Sequence, residues 1–165
     1  MTKSISKKYR KFKERYGPLL ITIVMIVGYW KFGRDAFEHM TVERWDVSAV
    51  YTGIFDLCAI IAAFIFGFFT FARTSETEFL DRIRGTRTYE RFMWYLIEAI
   101  CANSITVLLS LPFMVAVPKP TETSDPWFYF VLIWLAVSTY SLAATFRSVR
   151  QFIAIAMVEK QNDQS

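Results

Sequence analysis

Residues 47–72 form an almost unbroken apolar run with one ionisable side chain, Asp56. An α-helix rises about 1.5 Å per residue, so about 20 apolar residues cross the hydrocarbon of a bilayer, and this run is longer than that. A carboxylate inside such a span is costly unless protein or water surrounds it. On a helix Asp56 shares a face with Thr52, Ala59, Ala63, Gly67 and Thr70. The segment therefore points both to a membrane and to a place where function would sit.

The remaining chain supports the membrane class. At 54% hydrophobic and 18% aromatic residues, the 165-residue chain is too apolar for an ordinary soluble domain. Four apolar runs predict an all-α membrane protein with four transmembrane helices near 17–32, 47–72, 92–117 and 127–146, in one membrane domain. The first run is short. Tyr16, Lys31 and Phe32 extend it, with the lysine ammonium reaching the headgroups, and a re-entrant or interfacial segment is the alternative. No small-x-small cleavage site follows Val27-Gly28-Tyr29-Trp30, so the first run reads as an uncleaved span.

Charge sets the expected orientation. Residues 1–16 carry Lys3, Lys7, Lys8, Arg10, Lys11, Lys13 and Arg15 against Glu14, so the arm holds +6 and the rest of the chain −2 of the net +4. Such an arm reads as a cytoplasmic anchor touching membrane lipid rather than nucleic acid. The 73–91 loop has five arginines and the 147–165 tail has Arg147, Arg150 and Lys160. By contrast, Lys119 is the lone cation from 118 to 126, and Lys31, Arg34 and Arg44 are outnumbered by acids before residue 47. The alternation puts both termini in the cytoplasm. Trp30, Trp45, Trp94 and Trp127 fall at span ends, as interfacial anchors do, and only Trp134 lies well inside.

Three spans carry polar or small residues at helical spacing. Ala59, Ala63 and Gly67 form a small-xxx-small series that admits another helix. Glu98, Ala102, Thr106 and Ser110 align in the third span beside Asn103, with Pro112 above them, and Ser138, Ser141, Thr145 and Ser148 align in the fourth. Asp56 and Asn103 both lie roughly 14 to 17 Å deep at helical rise. The expectation is an Asp56–Asn103 contact near the midplane and a Glu98–Arg147 pair nearer the cytoplasm. Asp56 and Glu98 either line a hydrated pathway or switch, or act as buried glue between helices.

Ser75 with Glu78 reads as a capping box for a short helix that Gly85 ends. Phe79, Arg82, Arg84 and Arg87 on this inner loop are the candidate docking residues for a cytosolic partner, and a plain solvated linker is the alternative. No enzyme, metal or cofactor is expected. His39, placed in an outer loop, is the single histidine, Arg84-Gly85-Thr86 lacks the pattern of a phosphate-binding loop, and Cys58 and Cys101 sit in apolar runs as small hydrophobic side chains.

A basic amino-terminal arm, four short spans and the charged 73–91 loop, with no enzymatic motif, resemble in layout the small membrane subunits of bacterial anti-phage defence systems. The Kiwa membrane subunit and retron-type membrane effectors are the types concerned. The resemblance implies a homo-oligomer in the bacterial inner membrane acting with a cytosolic partner protein, as a sensor in the first type and a membrane-perturbing effector in the second. No shared motif transfers residue roles. The rival readings are an ion- or proton-coupled transporter or channel subunit using Asp56, and a passive scaffold. The expected orientation is checked by fusing alkaline phosphatase after His39: the fusion should be active, and an inactive one would reverse the topology.

Overall fold

The computed structural model describes the backbone of residues 2–74, 84–119 and 125–162, and the side chains of 16–74, 84–119 and 125–154. It consists of four helices: α1 (Thr2–Val42), α2 (Val47–Thr74), α3 (Arg87–Ala116) and α4 (Pro126–Asn162). No strand occurs among the described residues. Each helix contains a stretch long and apolar enough to cross a membrane: Tyr16–Val42, Val47–Thr74, Arg87–Ala116 and Pro126–Ala154.

The helices end where the local chemistry dictates. Asp46 caps α2 by accepting from the Ser48 amide at 3.0 Å, and Asp125 caps α4 by accepting from the Trp127 amide at 2.9 Å, with Pro126 in the first helical position. Thr86 caps α3 by accepting from the Tyr89 amide at 3.3 Å. At the far end of α3, Val117 turns left-handed at φ 43° and its amide returns to the Phe113 carbonyl at 2.9 Å. Pro118 follows and stops the helix.

Two helix bounds differ from the sequence expectation. The 31–46 segment is not an outer loop. It is helical to Val42, so His39 lies on α1, 3.6 Å from Glu43. The cause is packing: the Tyr29 ring covers Gly33, where a β-carbon would come within 2.8 Å of the ring, and Phe37 meets Tyr29 edge-on at 6.4 Å. The stretch 31–42 thus has an apolar side to bury and no proline to break it. The tail is likewise helical, since α4 runs on to Asn162.

The packing order in space is α1, α4, α3, α2, with neighbours antiparallel and a lighter contact between α2 and α4. Val42, Val47, Ala116 and Pro126 lie at one end, here called the hairpin end, and Thr74, Arg87 and Ala154 lie at the other, the terminal end. The hairpin end is held by a largely aromatic cluster in which the Tyr51, Phe113 and Trp134 ring centroids lie 5.0 to 5.5 Å apart, Tyr51 meeting Trp134 edge-on, and Phe128 meets Tyr29 at 4.8 Å. The Tyr51 hydroxyl donates to the Pro118 carbonyl at 2.8 Å, and that of Tyr29 to the Phe128 carbonyl at 3.4 Å. Towards the terminal end Ile65, Phe92, Leu96, Ala99 and Ala144 form a second cluster. Outside these clusters large apolar side chains face outward, among them Val24, Ile60, Phe64 and Leu108. In water so much outward apolar surface would drive aggregation; in hydrocarbon it is the proper exterior.

Trp134 is the hub of the hairpin-end cluster, so Trp134→Ala should destabilise the detergent-solubilised protein by about 3 kcal/mol. Tyr51→Phe, which removes one hydrogen bond, should cost about 1 kcal/mol. Reversible unfolding in mixed micelles ranks the two.

Candidate functional site

The polar side chains inside the spans collect on the antiparallel seam between α3 and α4. Most hydroxyls there first satisfy themselves on their own helix. Thr106 donates to the Ala102 carbonyl, Ser110 to that of Thr106, and Ser138 to that of Trp134, at 2.7 to 3.0 Å. This leaves a few cross-helix contacts, which form a ladder.

From the hairpin end, the Trp134 indole donates to Ser110 Oγ at 2.8 Å. Next the Asn103 amide nitrogen bridges the Ala99 carbonyl at 2.8 Å and Thr145 Oγ1 at 2.9 Å. Below that Glu98 meets Arg147, with Nη2 to Oε2 at 2.6 Å, and accepts from the Tyr140 hydroxyl. The Arg147 guanidinium lies 4.1 Å over the Tyr95 ring, and Ser148 donates to the Tyr95 carbonyl at 2.9 Å. Ala99 and Ala144, both fully buried, let the two backbones approach closely enough for these contacts. On the other side of α4, Cys58 Sγ of α2 lies 3.7 Å from Ser141 Oγ, which joins the second helix to the same seam.

The two members are unequally covered: the Arg147 side chain is 9% exposed and that of Glu98 35%, so the carboxylate is the more accessible of the pair. The contact is a charge contact: Arg147 Nε and Nη2 are buried without an aligned acceptor, and Asn103 Oδ1 is buried without a donor.

The expected Glu98–Arg147 pair is therefore present, and the polar stripes of the third and fourth spans face protein. The expected Asp56–Asn103 contact is absent. Asn103 is fully buried and committed to Thr145, whereas Asp56 is exposed on the outer side of α2. The reason is angular. The buried face of α2 is built on Tyr51, Cys58, Ile65 and Ala72, and Asp56 precedes Cys58 by two residues, about 200° round the helix. Ala63 and Gly67 share the exposed side, with Ala59 at its border. The small residues that bring helices together within the chain are those of α3 and α4.

Of the candidate docking residues, Phe79 and Arg82 lie outside the described residues, as do Ser75 and Glu78. Arg84 donates from Nη2 to the Arg73 carbonyl at 3.1 Å, and Arg87 is exposed at the start of α3. Sequence reasoning missed Trp134, Tyr140 and Tyr95. A tryptophan away from the interfacial belt was the available signal for the first, because an indole N–H inside a membrane needs an acceptor. The chain matches no protein family, no curated protein and no solved structure.

Removing one charge of the pair leaves the other without its counter-ion. Arg147→Met and Glu98→Gln should each destabilise the protein by about 2 kcal/mol, and the double variant should cost clearly less than their sum. A double-mutant cycle on the purified protein measures that coupling.

Proposed function

We infer that this chain is a non-enzymatic, multi-pass protein of the bacterial inner membrane, with both termini cytoplasmic, that self-associates through α2. In this reading it serves as a sensor or effector beside a cytosolic partner. The observation that carries the reading is the outward placement of Asp56. It lies nine residues from Val47, about 14 Å along a membrane-spanning helix, and it faces away from every helix of its own chain. Lipid tails offer a carboxylate no partner, so the face calls for a protein covering.

The surroundings suit a second copy of α2. Gly53 and Gly67 have open space where a β-carbon would stand, and Ala63 lies exposed between Asp56 and Gly67. A helix bearing the same small residues can approach that face closely, and several Asp56 side chains then converge at mid-depth. The inner face of α2 is already used against α3, so one helix serves the subunit fold on one side and the assembly on the other. The layout shared with Kiwa- and retron-type membrane subunits supplies the setting of anti-phage defence. Conduction is the second reading, because converging Asp56 carboxylates would line a path between copies rather than through one.

With Cys101 changed to Ala, Ala63→Cys should form an intermolecular disulfide when membranes are oxidised, while Leu108→Cys on the exposed side of α3 should not. Gly67→Leu should lower the mass of the detergent-solubilised assembly. An unchanged mass, or equal cross-linking at both positions, would remove the α2 seam. Ion flux in vesicles that is lost in Asp56→Asn while cross-linking persists would decide for conduction.

A further inference from the structure

At the terminal end an open cleft of about 920 Å³ lies between α2 and α3. Four arginines line it: Arg73 from the last turn of α2, Arg84 just ahead of α3, and Arg87 and Arg91 from the first turns of α3. Glu90 is the single carboxylate among the described lining residues. The deeper wall is apolar, made by Phe69 of α2 with Met93, Trp94 and Ile97 of α3.

Two of the arginines, Arg87 and Arg91, are placed against local electrostatics. Arg87 and Arg91 sit one helical turn apart, where like charges repel, and at the positive end of the α3 dipole, where cations are disfavoured. Arg84 is fixed by its bond to the Arg73 carbonyl, which brings a further guanidinium to the same rim. Among the described residues no ion pair is made by Arg73, Arg87 or Arg91. An anion in the cleft would relieve the crowding of Arg87 and Arg91 and pair with Arg73, and forked guanidinium donors match the oxygens of a phosphate.

Both walls carry the same gradient. On α3 the order from the terminal end inward is Arg87, Arg91, Trp94, Ile97, residues that return to one face at successive turns; on α2 it is Arg73, then Phe69. Charge gives way to apolar surface over about 6 to 9 Å in the direction of the membrane interior. A phospholipid has that profile, a phosphate at the headgroup level and an acyl chain beneath it. A soluble acidic peptide has no use for the deeper wall.

We propose that the Arg73–Arg84–Arg87–Arg91 cleft binds the phosphate of an anionic phospholipid, whose acyl chain lies along Phe69, Trp94 and Ile97. The site is distinct from the α2 seam: Phe69 follows Gly67 by two residues, about 200° round the helix, and the cleft is lined by residues of a single chain. The purified full-length protein is incubated in neutral detergent with equal amounts of phosphatidylglycerol and phosphatidylcholine, and retained lipid is counted by native mass spectrometry. Phosphatidylglycerol should be retained about tenfold over phosphatidylcholine. Arg87→Gln with Arg91→Gln should abolish that preference, while Arg150→Gln, which removes a charge at the same end of the molecule, should preserve it. Arg87→Lys with Arg91→Lys keeps the charge without the forked donors and should weaken the preference severalfold at unchanged elution volume, which separates loss of the site from loss of the fold. Equal retention of the two lipids by the unaltered protein, or an undiminished preference in the folded double glutamine variant, would overturn the proposal. Displacement of the lipid by millimolar inorganic phosphate would overturn the lipid assignment in favour of free phosphate, and displacement by an acidic peptide would overturn it in favour of a protein partner.

Discussion

Hydrocarbon offers no hydrogen-bond partner, so every polar group carried into it must be satisfied by the protein itself. That constraint orders the structure. The backbone meets it by remaining helical from cap to cap, and the hydroxyls of Thr106, Ser110 and Ser138 meet it by bonding carbonyls of their own helix. Side chains that cannot be satisfied locally are the ones that join helices. The indole of Trp134 needs Ser110, the amide of Asn103 needs Thr145, and the guanidinium of Arg147 needs Glu98. The α3–α4 seam is where these needs meet in antiparallel register, with Asn103 Oδ1 and Arg147 Nε the atoms left over.

Once α3 and α4 are joined, the other helices follow. Tyr51 carries α2 onto Pro118 and the Trp134 ring, and Cys58 places its middle against Ser141. The face of α2 that these contacts bury fixes the face that remains outside, and Asp56 falls on the latter. Helix α1 joins last in space, touching mainly α4 through Tyr29, Trp30 and Phe128, and most of its apolar surface stays exposed. Its packing falls where Gly33 makes room for the Tyr29 ring, which is also why the helix continues beyond the apolar run.

Hydropathy, interfacial tryptophans and the length rule made the four helices legible, because a span must be long and apolar whatever its neighbours are. The Glu98–Arg147 pair was legible too, since both residues lie at the same depth on neighbouring spans and opposite charges near a membrane seek each other. The Asp56–Asn103 expectation failed because depth fixes height along a helix but says nothing of azimuth. Azimuth is set by which face packs, and Tyr51, Cys58, Ile65 and Ala72 were hidden in a run where nearly every side chain is apolar. The extent of α1 was missed for a related reason: the charges of residues 31–46 marked a boundary of the membrane, and a helix need not end at that boundary.

The two acidic side chains of the spans show how differently one chain treats the same chemistry. Glu98 has Arg147 and the Tyr140 hydroxyl within its own subunit, and its side chain is one third exposed. Asp56 has neither a cation nor a hydroxyl across from it among the described residues. Glu98 is thereby complete in one copy, whereas Asp56 is exposed, and the proposed assembly is what would cover it. Covering it with lipid alone would leave an uncompensated carboxylate where its solvation is poorest. The small residues beside it leave room for a helix, and the α2 face opposite is already fixed by α3. The demand of Asp56 can therefore be met from outside without disturbing the fold that the α3–α4 seam secures.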